Sequence, residues 1–175
     1  MFWLNIVSSF FKVMRAGQTP NQIAGGFALG AILGLSPMLT LQGAAVWLII
    51  LVLDVNLSSA TLAIALFSAF AYLFDPLFHG FGYYLLVNVE ALKPFWTTLY
   101  NAPIAPLSRF NNTVVMGSFV TAIVLWFPIF VGMKRFVVAY RTHLHTRIEK
   151  WKIYQIVAKS SLVNWYQRIS KLGVV

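Results

Sequence analysis

Two long apolar runs, residues 22–53 and 57–89, are each interrupted near the middle by a proline that follows a helix-capping side chain. The first run is interrupted at Ser36-Pro37 and the second at Asp75-Pro76. Proline has no N–H and suits the first position of a helix, while a Ser or Asp before it accepts hydrogen bonds from the free N–H groups of the first turn. The pattern therefore predicts that each run consists of two short helices.

The composition indicates whether these helices lie in water or in a lipid bilayer. The 175 residues are 59% hydrophobic and 10% charged, whereas soluble domains carry about 25% charged residues. Pieces of about 15 residues cover about 22 Å, which is less than the roughly 30 Å of a bilayer core. We therefore expect an all-α, polytopic helical membrane protein in which residues 20–90 form two Pro-broken or re-entrant helical hairpins.

The other segments differ in charge and in turn-forming residues. Residues 1–19 predict an N-terminal interfacial amphipathic helix with net charge +2, and residues 134–175 predict a basic amphipathic tail with net charge +8. Residues 91–112 predict a non-cytoplasmic loop, and residues 113–133 predict one clean transmembrane helix. The positive charge places both termini in the cytoplasm, and the tail is expected to contact anionic lipid.

These assignments restrict the number of membrane crossings. If both termini are cytoplasmic and residues 113–133 cross once, residues 20–90 must cross an odd number of times. One arrangement that meets this condition has one run as a re-entrant hairpin and the other as a single broken helix that crosses; the number of crossings stays open. A shift of 39 residues superposes Ser36-Pro37 on Asp75-Pro76, which indicates a weak repeat, either inverted or parallel.

Small residues and caps near the start of the first run predict close helix packing. Gly26, Gly30 and Gly34 recur every four residues and so lie on one face of a helix. Thr19 before Pro20 is the N-cap signature of that helix. These residues are expected to organise structure rather than chemistry.

Four polar residues within the apolar runs form the candidate site. Ser36 and Asp75 are predicted to open helices at membrane depth, and such N-termini attract anions. Gln42 and His79 lie close by in sequence. The four residues predict a site for an anionic substrate, in which Asp75 and His79, four residues apart, either relay a proton or serve only as a cap and a backbone-bonded side chain.

Several functional classes find no support. The chain has four acidic residues, three histidines and no cysteine, and no catalytic, metal-binding or dinucleotide motif is recognisable. We expect no enzyme activity, no cofactor and no metal. The basic residues flank membrane segments, which argues against nucleic acid as a partner.

The motif Pro20-x3-Ala24 through Gly30-x3-Gly34-x-Ser36-Pro37-x4-Gln42 is followed by Asn56, Asp75-Pro76, His79 and Gly82. This pattern resembles the bacterial membrane proteins of the domain of unknown function 2062 family. It is similar to a short subfamily with Ser-Pro and Asp-Pro-Leu-x-His motifs. The resemblance implies an inner-membrane protein of Gram-negative bacteria with a larger envelope protein as a possible partner.

Two functions are compatible with these features. The first is a noncatalytic integral inner-membrane subunit that anchors or gates a cell-envelope assembly. The alternative is a small transporter or lipid-handling protein that binds an anionic substrate, such as a phospholipid headgroup, at paired intramembrane helix N-termini.

Overall fold

The computed structural model describes residues 18–144, and every regular element among them is helical. The expected all-α class is confirmed for this part of the chain. Five α-helices follow one another: α1 (Pro20–Leu35), α2 (Leu41–Val52), α3 (Leu57–Tyr83), α4 (Lys93–Tyr100) and α5 (Thr113–Ala139). The predicted amphipathic helices of residues 1–19 and 134–175 lie, but for their inner ends, outside the described residues. The chain divides into two compact units, residues 1–137 and 138–175.

The first apolar run is interrupted, but its second helix begins later than predicted. Ser36 is the C-cap of α1, because its N–H and its hydroxyl both donate to the Ile32 carbonyl, at 3.1 and 2.7 Å. α2 begins at Leu41, where the Thr40 hydroxyl accepts from the Gly43 N–H at 3.2 Å. The prediction that Ser36 caps a helix opened by Pro37 is wrong, since the Ser36 side chain completes the preceding helix instead.

The second run is not interrupted, so the predicted break at Asp75-Pro76 is wrong. α3 runs for 27 residues with Pro76 in its interior and continues as a π-helical turn, Tyr84–Asn88. A break would leave up to four N–H and four carbonyl groups without helical partners. Pro76 within a continuous helix deprives only the Tyr72 carbonyl of its usual donor, and the continuous helix is the less costly solution in an apolar segment.

α1 and α2 form a helical hairpin whose two ends lie beside the start of α3. The Gln22 carbonyl accepts from the Asn56 N–H at 3.0 Å, and the Gln22 side-chain amide donates to the Asp54 carboxylate at 2.6 Å. The Asn56 side-chain amide also donates to the Gln18 side chain. Residues before α1 and residues before α3 are therefore held together at one end of the structure.

Three glycines of α1 provide the contact surface for α3. A Cβ on Gly26 or Gly30 would overlap the carbonyl oxygen of Asn56 or Ala60, respectively, and a Cβ on Gly34 would lie 2.7 Å from the Phe67 Cβ. The contacted residue of α3 advances as the glycine of α1 advances, so the two helices run parallel. Backbone-to-backbone approach of this kind requires glycine on one side.

α5 packs against the other end of α3 in the opposite direction. Gly117 lies beside Phe78, and the earlier residue Thr113 lies beside Gly82. Between them, residues 91–112 contain α4 and a 3₁₀ turn, Ala105–Ser108, that lies against α2. Two helical segments, Leu57–Asn88 and Thr113–Thr142, are long and apolar enough to cross a membrane.

Candidate functional site: the outward stripe of α3

One face of α3 points away from α1 and carries polar or small residues along its length. The residues follow alternating steps of three and four: Ser58, Thr61, Ala65, Ser68, Tyr72, Asp75 and His79. We call this set the outward stripe. Six of the seven residues are exposed and Asp75 is half-buried, so the packing of the described residues leaves most of the stripe uncovered, while His79 at its end contacts α5.

The outward stripe differs from the surface on its flank. Leu66, Leu73 and Leu77 are also exposed on α3 but lie outside the stripe, and they suit contact with lipid chains. Small and hydroxyl-bearing side chains are instead enriched where membrane helices meet each other. Alternating steps of three and four are the spacing with which one helix follows another in a left-handed pair.

Asp75 is the charged member of the stripe. Its carboxylate has no hydrogen bond and no ion pair with any residue in the described range. One turn earlier, the Tyr72 carbonyl has lost its usual helical donor because Pro76 has no N–H. An aspartate at the centre of a membrane-spanning helix costs about 2.5–3.5 kcal/mol on insertion, so Asp75 is a costly residue to place against lipid.

His79 is held by α5 and not by Asp75. Its Nδ1 lies 2.6 Å from the Thr113 hydroxyl oxygen, and its ring lies beside Tyr83 with a centroid separation of 6.3 Å. No hydrogen bond joins His79 to Asp75 in the described part of the chain. The geometry therefore shows an interhelical contact at His79 and no formed proton relay.

The other two candidate residues lie where α1 turns into α2. Ser36 is buried and bonded to α1, while the buried side-chain oxygen of Gln42 has no hydrogen-bond partner within the described range. Since no helix begins at Asp75, the predicted pair of intramembrane helix N-termini is not present. No hydrogen bond among the described residues links Ser36 or Gln42 to Asp75 or His79, and a common anion site of the four stays a prediction.

Several functional residues escape sequence reasoning. Thr113 and Gly117 contact α3 at His79 and Gly82, and no local pattern in α5 singles them out. The first five members of the outward stripe do carry a signal, because small and polar residues recur with a period of 3.5 within an otherwise apolar run. These five residues all precede Pro76, so their period is readable from the sequence alone.

An apolar cavity of about 510 Å³ opens between α1, α3 and α5. Phenylalanines of α3 form most of its wall, and α5 contributes Thr121 and Leu125. The phenylalanines are Phe67, Phe70, Phe74, Phe78 and Phe81. A cavity of this size and composition suits an apolar ligand.

Comparison with known proteins assigns the chain to a family. The model of the family described as "uncharacterized protein conserved in bacteria (DUF2062)" matches residues 6–145. The chain belongs to the DUF2062 family. The match includes all five helices, the outward stripe and the cavity, so these features lie within the family region.

A relative of this DUF2062 protein occurs in Treponema pallidum (strain Nichols). It is described as an uncharacterized protein and is 27% identical over 154 residues, which cover 88% of this chain and 94% of the relative. The two proteins are therefore similar over nearly their full lengths. No solved structure matches the chain.

Proposed function

We propose that this DUF2062 protein is a noncatalytic integral subunit of the bacterial inner membrane that anchors or gates a cell-envelope assembly. The outward stripe is the observation that supports the proposal. A membrane helix whose outer face contacts lipid has apolar side chains on that face. The outer face of α3 instead has Ser68, Tyr72 and Asp75 exposed or half-exposed. A helix with such a face is completed by another polypeptide within the membrane.

The proposed topology follows from the directions of the helices. α1 has 16 residues and α2 has 12, which correspond to about 24 and 18 Å, less than the roughly 30 Å of the bilayer core. Both helices of the hairpin α1–α2 are shorter than the bilayer core, which favours a re-entrant hairpin that begins and ends where α3 begins, whereas α3 and α5 are long enough to cross. Residues 20–90 then cross once, and both basic termini face the cytoplasm, where residues 134–175 contact anionic lipid.

In such a subunit, the glycine face of α1 and the outward stripe of α3 have different roles. The glycine face of α1 stabilises the subunit itself, because α3 covers it. The outward stripe is the surface available for contact with another protein of the assembly. Since the re-entrant hairpin is tied to the start of α3 through Gln22 and Asn56, a partner that shifts α3 also shifts the hairpin, which provides a physical route for gating.

The experiment that tests this function is purification of the tagged chain from native membranes in a lipid-retaining polymer disc, followed by mass spectrometry of the copurifying proteins. We expect a second envelope protein in stoichiometric amount. The matched variant pair is Tyr72→Leu in the outward stripe and Val124→Leu on the exposed face of α5, of which only Tyr72→Leu should reduce the recovery of the partner. A chain that purifies alone from native membranes contradicts the proposal.

The cavity supports a second candidate function, the handling of a lipid. Its wall is formed almost wholly by phenylalanine and leucine side chains, as expected for a site that holds an acyl chain rather than a charged headgroup. This candidate does not depend on the paired helix N-termini. A lipid that copurifies in fixed stoichiometry with the solitary chain favours it over the subunit function.

A further inference from the structure

We infer that the outward stripe binds a membrane-spanning helix of a different protein, and that this helix carries a lysine or arginine opposite Asp75. The inference rests on the proposed function and adds the chemistry of the partner. It depends on three observations: the spacing of the stripe, the hydrogen-bond acceptors near Asp75, and the end of α3 at which the chain enters α1.

The spacing of the stripe identifies the secondary structure of the partner. From Ser58 to His79, the steps between members alternate between three and four residues without interruption. This is a period of 3.5, which keeps a single seam in contact with a second helix that crosses at a small left-handed angle. A loop or a lipid chain places no such periodic demand on α3.

The acceptors around Asp75 identify the side chain that the partner supplies. The Asp75 carboxylate has no partner in residues 18–144, and Pro76 leaves the nearby Tyr72 carbonyl without its helical donor. Both groups accept hydrogen bonds, and the carboxylate also carries a negative charge. A lysine or arginine satisfies both requirements, because it has several N–H donors and a positive charge.

A second copy of this chain does not meet these requirements through the stripe. Two copies inserted in the same direction and joined symmetrically at the stripe place Asp75 opposite Asp75, which is repulsive. The basic N-terminal segment of the chain joins α1 at the other end of α3, since Gln18 and Gln22 lie beside Asn56. Asp75 lies about 27 Å along the helix from Leu57, so a helix in trans is the occupant that fits.

The test is site-specific photocrosslinking in native membranes with p-benzoylphenylalanine, which replaces Tyr72 conservatively. The matched control is the same probe at Val124 of α5, which is exposed and lies at a similar depth because Gly117 lies beside Phe78. We expect an adduct with a second protein from position 72 and none from position 124. The crosslinked peptide should contain an apolar helix with a lysine or arginine.

The charge is tested by substitutions at Asp75 combined with the probe at position 72. We expect Asp75→Lys to reduce the adduct at least tenfold and Asp75→Glu to retain it within about twofold. If Asp75→Lys does not yield a monodisperse protein, Asp75→Asn, which is of equal size but uncharged, replaces it, and at least a fivefold loss is then expected. An adduct that survives these charge changes overturns the inference.

The remaining outcomes separate this inference from the proposed function. An adduct between two differently tagged copies of the chain overturns the inference in favour of self-association. A protein that copurifies with the chain while positions 72 and 124 both label only lipid leaves the proposed function intact and removes this interface. The absence of both a copurifying protein and an adduct contradicts both proposals.

Discussion

Gly82 of α3 and Gly117 of α5 lie directly against each other where the two long helices cross. A Cβ on either glycine would come within 2.9 Å of the backbone nitrogen of the other, and a Cβ on Gly117 would also overlap the Phe78 carbonyl oxygen. Backbone atoms cannot rotate away from such an overlap as a flexible side chain can. The crossing therefore requires glycine on both helices.

Replacement of Gly117 by alanine should separate α3 from α5 and lower the thermal stability of the protein. The expected loss is about 1–3 kcal/mol, the usual range for an overpacked contact, and the bond between His79 and Thr113 should lengthen with it. Gly132→Ala on the same helix is the control, because nothing lies within 4 Å of a Cβ there. Circular dichroism melts in detergent should show a lower Tm for Gly117→Ala only; equal melts would contradict the crossing.

The contact between α1 and α3 predicts an analogous difference between two glycines of α1. A Cβ on Gly30 would overlap the Ala60 carbonyl oxygen, whereas a Cβ on Gly25 would meet only a side-chain methyl group of Val55 at 3.1 Å. Gly30→Ala should therefore lower the stability. Gly25→Ala should be neutral or gain up to about 1 kcal/mol from helix propensity, if the Val55 side chain moves aside. The ratio of folded to unfolded protein in graded sodium dodecyl sulfate provides the measurement, and a loss of equal size in both variants would contradict this packing.

Composition and cap patterns were sufficient for much of the fold. They predicted the all-helical class, the interruption after α1 and the long helix that begins at residue 113, because apolar length and helix caps are local properties of the chain. The predicted helix start at Asp75-Pro76 failed for a physical reason. In water, solvent can hydrogen-bond the free backbone groups at a helix end, so a new helix readily starts at a proline. Within an apolar segment no water is available, and a continuous helix leaves fewer backbone groups without a hydrogen bond.

The candidate site was less predictable because it depends on contacts between distant residues. His79 was recognisable as an ionisable residue in an apolar run, but its partner Thr113 lies 34 residues away. Ser36 and Asp75 looked equivalent in sequence, yet one ends a helix and the other lies inside one. Six of the seven residues of the outward stripe precede Pro76, so the continuity of α3 decides only whether His79 shares the spacing.

The cavity predicts a retained apolar molecule that a bulky side chain should displace. Leu125 lines the cavity and the neighbouring Val124 is exposed on the outside of α5. Leu125→Trp should fill part of the cavity and reduce the copurifying lipid by one molecule per chain, while Val124→Trp should leave it unchanged. Native mass spectrometry of the protein released from discs counts the bound lipids. Equal lipid counts in the two variants would remove the cavity as a lipid site.

The re-entrant hairpin predicts which single cysteines react with a membrane-impermeant maleimide. The chain has no native cysteine, so each introduced cysteine reports alone. Asp54→Cys, between α2 and α3, should react from the cytoplasmic face, and Asn101→Cys, in the segment between α3 and α5, should react from the opposite face.

Leu39→Cys is the decisive position, because Leu39 is 93% exposed in the protein yet lies at the tip of a hairpin too short to cross the bilayer. It should be protected by lipid on both sides in intact membranes and should react after detergent is added. Reaction of Leu39→Cys from the same side as Asn101→Cys would mean that α1 and α2 each cross the membrane, and the proposed topology would have to be replaced by one with four crossings.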